Sequence, residues 1–450
     1  MKSLVSSLLS DLKCISFRSQ WFFSLRITLL VVIGVLIASL YAAASEQVIY
    51  TFTGGKDGAG PTGLIAGQNG KLYGTAFIGG PEQAGTVFEL SPPKQKGGVW
   101  TETTLYTFLF SQPQNGIGPA AGLVMDGAGN LYGTTWLGGP GQGCTLGCGI
   151  VFQLAPPKRP GGSWTFALLY DFGAPNDGYQ PEATLTFDAT GNLYGTTVAG
   201  GLGHCEGGCG TVFQLVPPKQ PGGAWTETTL YNFPGTFPYN GSTLSGVTLD
   251  AKGAVYGTTW VEGGNSAGTV FRLMPPKSKT GHWKHTTLYA FNKNGVDGTW
   301  PTGNVIFDNN GNLYGVTNRG AMGNCLGVGC GTVYQLTPTP SGPWTLTTLY
   351  KFAGGNDGGY PQAGPIFDTT GNLVGTNLAG GGTNCSGEGC GTAYRLTQSG
   401  GTWTETILHS FTSGADGAGP GPLLLGVGNV LYGVAGAGAK GSGIVFDITP

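Results

Sequence analysis

From residue 47 onward, apolar and polar residues alternate in short runs separated by clusters of Gly, Pro, Asn and Asp. Runs this short, with a period of two and rich in β-branched and aromatic residues, predict strands and not helices. The runs also repeat. A Leu-Tyr-Gly block marks Tyr73, Tyr132, Tyr194, Tyr256 (as Val-Tyr-Gly), Tyr314 and Tyr432, with Val374 in the sixth position; successive spacings are 59, 62, 62, 58, 60 and 58. After each block come a Gly-rich loop and a Gly-Thr-Val-Phe-like block centred on Phe88, Phe152, Phe213, Phe271, Tyr334, Tyr394 and Phe446. A Trp (Trp100, Trp164, Trp225, Trp283, Trp344, Trp403) then opens a segment such as Thr-Glu-Thr-Thr-Leu-Tyr-x-Phe.

Each unit therefore predicts four strands, exemplified by a (Gly122 to Asp126), b (Leu131 to Thr135), c (Ile150 to Leu154) and d (Trp164 to Phe172). Strands a and b join through Asp-x-x-Gly-Asn at Asp126, Asp188, Asp308 and Asp368, where Asp can accept from nearby amides and Gly supplies positive φ. Seven a–b–c sets meet only six Trp-led d strands. The missing one stands at the other end of the chain, where Gln47-Val-Ile-Tyr-Thr-Phe52 matches the end of strand d with no a, b or c before it. A ring explains both ends, because an N-terminal strand that completes the last blade leaves no open sheet edge. The expected fold is all-β, a seven-bladed propeller of four-stranded antiparallel blades over residues 46–450, closed by residues 47–52. A linear solenoid would need no such complementarity.

Composition agrees, with 86 Gly and 28 Pro among 450 residues and only 10% charged. The first 45 residues differ. Lys2, Lys13, Arg18 and Arg26 precede an uncharged run from Ile27 to Ala44, which reads as an export signal: a cleaved signal peptide, or an uncleaved anchor at residues 27–44. The body is thus expected outside the cytoplasm, at the cell surface, in a periplasm or secreted, touching a membrane only through that segment. Without residues 1–44 the chain keeps 17 basic and 22 acidic side chains, a net charge of −5, which offers no basic patch to nucleic acid.

Together, the Leu-Tyr-Gly-Thr-Thr, Gly-Thr-Val-Phe-x-Leu and Thr-Thr-Leu-Tyr-x-Phe blocks resemble the GloVer-type tandem repeat of bacterial exported proteins, over essentially all of residues 47–450. That family is distantly similar to NHL-type and gluconolactonase-like propellers. The resemblance implies a propeller and carries no activity with it.

Outside the leader, eight cysteines form four local pairs in b–c loops: Cys144/Cys148, Cys205/Cys209, Cys325/Cys330 and Cys385/Cys390. Units one, four and seven lack both members, as expected of bonded pairs in an oxidising compartment. Zinc, suggested by His204 beside Cys205, would require neighbouring blades to share ligands. Because strand direction alternates, the b–c and d–a loops share one face. That face carries Asp57, Asp177, Asp297, Asp357 and Asp416 in Asp-Gly turns, Tyr179, Trp300 and Tyr360 shortly before Pro, and Trp136 and Trp260 at the end of strand b. Carboxylates with exposed rings suit a sugar-binding surface, although Asp-Gly also recurs wherever a turn needs it.

Catalytic machinery is not evident. Gly264-Asn-Ser266-Ala-Gly268 matches Gly-x-Ser-x-Gly but falls in a hairpin loop, not a strand-to-helix turn. Too few carboxylates converge in any Asp-x-x-Gly turn to hold calcium, so no metal and no cofactor is expected. The sequence points to a binding or scaffold module for a glycan or a cell-surface protein. The alternative, by fold analogy, is a hydrolase or lyase acting on a polysaccharide or lactone.

Overall fold

The computed structural model describes residues 44–450, apart from 96, 142, 160, 206, 221, 236–244, 262–265, 279–280, 293–295, 322, 324, 341, 383–384 and 386. The leader and its anchor at residues 27–44 lie outside the described residues except for Ala44. Among the described residues, no helix is long and apolar enough to cross a membrane.

Residues 45–449 form seven antiparallel blades, each built from the a–b–c–d unit, with a further two-stranded ladder of Gly178–Tyr179 and Ala199–Gly200 in blade 3. Blade 1 runs Ala59–Ala66, Leu72–Ile78, Thr86–Ser91 and Thr101–Thr107, and five further blades follow in the same order. Blade 7 takes Ala418–Leu425, Leu431–Gly436 and Ile444–Thr449 from the C-terminal end, with Ser45–Thr51 as its fourth strand. That strand pairs antiparallel with Ile444–Thr449 from Ser45↔Thr449 to Thr51↔Ile444, and Val48 faces Phe446. The ring is therefore closed by the N-terminal strand, as the two incomplete ends of the repeat required. Strand a is shorter than expected in blade 2, where only Val124–Met125 joins the ladder. Asp126 leaves it because its own amide and carbonyl close the turn, through Asn130 O at 3.1 Å and Gly129 N at 3.0 Å.

The repeated aromatics are the cement between blades. The Phe that ends strand d of each blade is almost wholly buried and meets the strand-c aromatic of the next blade edge to face. Phe108–Phe152, Phe172–Phe213, Phe233–Phe271, Phe291–Tyr334, Phe352–Tyr394 and Phe411–Phe446 have centroids 5.1–5.4 Å apart. Phe52–Phe88, at 5.0 Å, makes the same contact between blade 7 and blade 1. Such pairs add about 0.5–1.5 kcal/mol each beyond their buried area. Threonine hydroxyls add polar ties across the seams, including Thr75 to Ala121 O at 2.7 Å and Thr376 to Gly421 O at 2.8 Å.

A second belt pairs the strand-d Trp of one blade with the anchor Tyr of the blade before: Trp164 with Tyr73, Trp225 with Tyr132, Trp283 with Tyr194, Trp344 with Tyr256, and Trp100 with Tyr432. This accounts for Val374. Its partner would be the residue before Ser45, and that residue is Ala44. Where the Trp is lacking, the Tyr is lacking too.

Candidate functional site

The a–b turns confirm their structural role. Asp126 Oδ1 accepts from Ala128 N and Asn130 N at 2.9 Å each, and Oδ2 accepts from Asn130 Nδ2 at 2.7 Å and Tyr132 Oη at 3.0 Å. Burial opposes ionisation of Asp126, but these donors more than offset it and hold the carboxyl below its usual range. With its oxygens so engaged, it has little capacity left for a cation. Among the described residues, no group of three or more His, Cys, Asp or Glu is placed to hold a metal.

On the opposite face, d–a and b–c loops meet as expected, with Gly80 N on Gly55 O at 2.7 Å and Gly201 N on Asp177 O at 2.7 Å. Four disulfides brace the b–c loops: Cys144–Cys148, Cys205–Cys209, Cys325–Cys330 and Cys385–Cys390. They fit an oxidising, extracytoplasmic environment.

The five Asp-Gly carboxylates are turned into the fold. Asp57 accepts from Tyr50 Oη at 3.0 Å, Thr53 N at 2.8 Å and Thr53 Oγ1 at 2.5 Å. Asp177 accepts from Tyr170 Oη at 2.9 Å and from Gly173 N and Gly178 N. Asp297 takes Tyr289 Oη at 2.7 Å and Asn292 Nδ2 at 3.1 Å. Asp357 takes Tyr350 Oη and Ala353 N, and Asp416 takes Thr412 N at 2.9 Å and lies 3.2 Å from His409 Nε2. Each carboxylate thus ties its d–a loop to the strand-d ring seven or eight residues upstream. The aromatic candidates divide. Tyr179 donates to Gly207 O in its own blade, and Trp136 leans on Phe77 with centroids 6.1 Å apart. Trp260 and Trp300 come together at 5.0 Å, and Arg319 bridges Trp300 to Tyr360.

At the axis, strand a and its flanking residues from all seven blades line a cavity of about 680 Å³. Its wall is not symmetric. Blades 3, 5 and 6 contribute Glu182, Thr184, Asn304, Asn318 and Gln362, and Trp260 of blade 4 adds a ring. Across the axis, blades 7 and 2 contribute Pro420, Gly421, Pro422, Ala120, Ala121 and Gly122. Thr62 of blade 1 is engaged with Thr75 at 2.5 Å. Glu182 is the one carboxylate among the described lining residues, and burial raises its pKa above the usual carboxylate range. The polar groups repeated from blade to blade are engaged within the fold, while the unrepeated ones gather on one arc. Their signal was offset from the anchor. Twelve residues before it, Glu182 and Gln362 stand where blade 2 has Ala120; five after it, Arg319 stands where the other six blades have Ile78, Leu137, Ala199, Val261, Ala379 and Ala437.

In comparison with known proteins, residues 34–220 and 142–328 match the Gloeobacter/Verrucomicrobia repeat. No curated protein sequence matches the chain. Among solved structures, it is similar to a candidate gluconolactonase, with TM-score 0.36, 13% identity, and coverage of 66% of this chain and 83% of the other. It is also similar to a gluconolactonase from Xanthomonas campestris, with TM-score 0.35, 12% identity, and coverage of 66% and 78%. At these scores neither likeness bears on function.

Proposed function

The chain belongs to the Gloeobacter/Verrucomicrobia repeat family, and we propose that it is an exported propeller that binds a glycan at one arc of its channel mouth. The asymmetry of the cavity wall carries this reading. A structural lining has no reason to replace small residues by Glu182, Asn304 and Gln362 on one side only. Hydroxyl-rich ligands are bound by such groups beside an aromatic ring, which stacks on the apolar face of a sugar. Trp260 lines the same cavity, and its Nε1 is buried without an acceptor. Export rests on the leader and fits the four disulfides.

A glycan-array screen of the wild type, Trp260→Ala and Trp300→Ala tests the reading. Specific binding by the wild type that weakens at least tenfold in Trp260→Ala supports it, whereas no binding by any of the three removes it. One observation favours a second reading, hydrolysis or elimination on a polysaccharide or lactone: Glu182, with its raised pKa, has the character of a general acid or base. Glycoside hydrolysis ordinarily uses two carboxylates, and the described cavity lining holds one and no histidine. Turnover by the wild type that is abolished in Glu182→Gln would establish this alternative.

A further inference from the structure

Arg319 lies beside the cavity, next in sequence to its lining residue Asn318, and its guanidinium carbon sits 5.2 Å from the ring centroid of Trp300 and 4.9 Å from that of Tyr360. Both rings come from the start of strand a, Trp300 in the Thr299–Phe307 strand of blade 5 and Tyr360 in the Gly359–Pro361 strand of blade 6. Both occupy a backbone position that disfavours them, with φ of 60° at Trp300 and 59° at Tyr360. The equivalent pre-proline position is glycine in blades 1, 2 and 7, at Gly60, Gly118 and Gly419, with φ of 60–66°, and Gln180 in blade 3, with φ of 58°. Left-handed backbone is costly for a bulky residue, and such strain gathers at ligand clamps. Blades 3, 5 and 6 thus give up the easy residue, and in the neighbouring blades 5 and 6 the side chain at that position is a ring held against Arg319.

Among the described residues, the cation so held has no counter-ion. The ion pairs among the described residues are Lys71–Glu89 and His409–Asp416. Glu388 acts on the Tyr360 hydroxyl but makes no ion pair with Arg319. Arg319 Nε is buried with no acceptor, as is Nε1 of Trp260, whose ring abuts Trp300. A chain with a net charge of −5 outside its leader has carboxylates to spare, yet among the described residues this guanidinium makes no ion pair and lies against two rings. The N–H donors of a guanidinium lie in its plane, the geometry that matches a carboxylate in a bidentate fork.

We propose that Arg319, clamped by Trp300 and Tyr360, is an anion subsite at the rim of the channel mouth, and that the glycan bound there carries a carboxylate, as a uronic acid does. The proposal rests on the glycan reading and narrows it. Trp260 and the polar arc take the sugar ring and hydroxyls, while Arg319 takes the acid.

The test is titration calorimetry of the full chain with uronate oligosaccharides and their carboxyl-reduced neutral counterparts, which differ only in the charged group. Arg319→Gln and Arg319→Lys are compared with the wild type after their melting curves are shown to match it. The wild type should bind at least one uronate series about 10–100-fold more tightly than its reduced form, the range expected of a desolvated charge-assisted contact. Arg319→Gln should bind both forms alike, and Arg319→Lys should retain part of the preference without the fork. Equal binding of both forms by the wild type, or a preference unchanged in Arg319→Gln, overturns the anion subsite and leaves the glycan reading in place. Arg319-dependent binding of a sulfated oligosaccharide free of uronic acid, instead of the uronates, overturns the carboxylate assignment. Failure of the wild type to bind any saccharide removes the glycan reading and the subsite with it.

Discussion

Gly195 stands in strand b of blade 3, within the Leu-Tyr-Gly block, and its backbone lies outside the left-handed region. Any residue could adopt its conformation, so the reason for glycine must lie in the space around it. A methyl group there would sit 2.4 Å from Phe213 Cζ and 2.9 Å from Leu185 Cδ2, both on buried side chains. Carbon atoms pack at about 3.5–4.0 Å, so Gly195→Ala must drive the ring or the leucine aside by about 1 Å. Overpacking of this kind costs about 1–3 kcal/mol. At about 2.1 cal/mol/K of unfolding entropy per residue over residues 45–449, that becomes a fall of about 1–4 °C in melting temperature. The assay is urea unfolding and thermal melting of Gly195→Ala, Phe213→Leu and the double variant, followed by tryptophan fluorescence. Phe213→Leu alone opens a void, whereas the double variant fills part of it, so the two costs should combine less than additively by about 0.5–3 kcal/mol. A neutral Gly195→Ala, or strictly additive variants, would refute the claim that the strand-c ring dictates the glycine. The same geometry recurs at Gly133 and Gly433, whose added methyls would lie 2.7 and 2.3 Å from Phe152 and Phe446.

Three glutamates of strand d titrate far above their usual range: Glu405 at about 9, from burial and then Asp357; Glu227 at about 7, from burial and then Asp177; and Glu46 at about 7, from burial and then Asp416 and Asp447. A carboxyl whose folded pKa is raised contributes stability that is complete below the unfolded value near 4.5 and is lost as pH rises through the folded one. Melting temperature should therefore fall between pH 5 and pH 9, and Glu405→Gln should flatten the upper part of that slope; an unchanged slope would count against the buried carboxyl at this seam. Mass spectrometry without reductant should find all eight loop cysteines bonded in the four local pairs, and free thiols there would contradict the assignment. Each pair closes a loop of four or five residues, worth about 2 kcal/mol by chain entropy, so reductant should lower the melting temperature.

The fold was legible because a ring writes its closure into the two ends of its repeat, in a strand d without a start at Gln47 and a last unit without a strand d after Ile448. The Asp-Gly turns were only half legible. Their composition suited both a sugar surface and a loop cap, and the discriminating sign was the proton donor upstream, Tyr50 for Asp57 and His409 for Asp416. Glu182 and Arg319 escaped notice for a different reason. In a repeat, a residue that occurs once looks like drift until the structure shows that position 12 before the anchor lines the axis and position 5 after it faces rings at the start of strand a in two blades. The Trp300–Arg319–Tyr360 clamp joins residues of adjacent blades whose spacing follows no local period, so nothing in the strand pattern could announce it.

The closed ring is the premise on which the shared loop face and the channel mouth both depend. Gln47 and Asp447 face one another across the closing ladder, so the variant Gln47→Cys, Asp447→Cys provides its most direct test. Under mild oxidation, a closed ring predicts a disulfide between the peptides containing residues 47 and 447, found by non-reducing mass spectrometry beside the four native pairs. If both introduced thiols stay free in a folded, monomeric protein, the N-terminal strand does not complete the seventh blade.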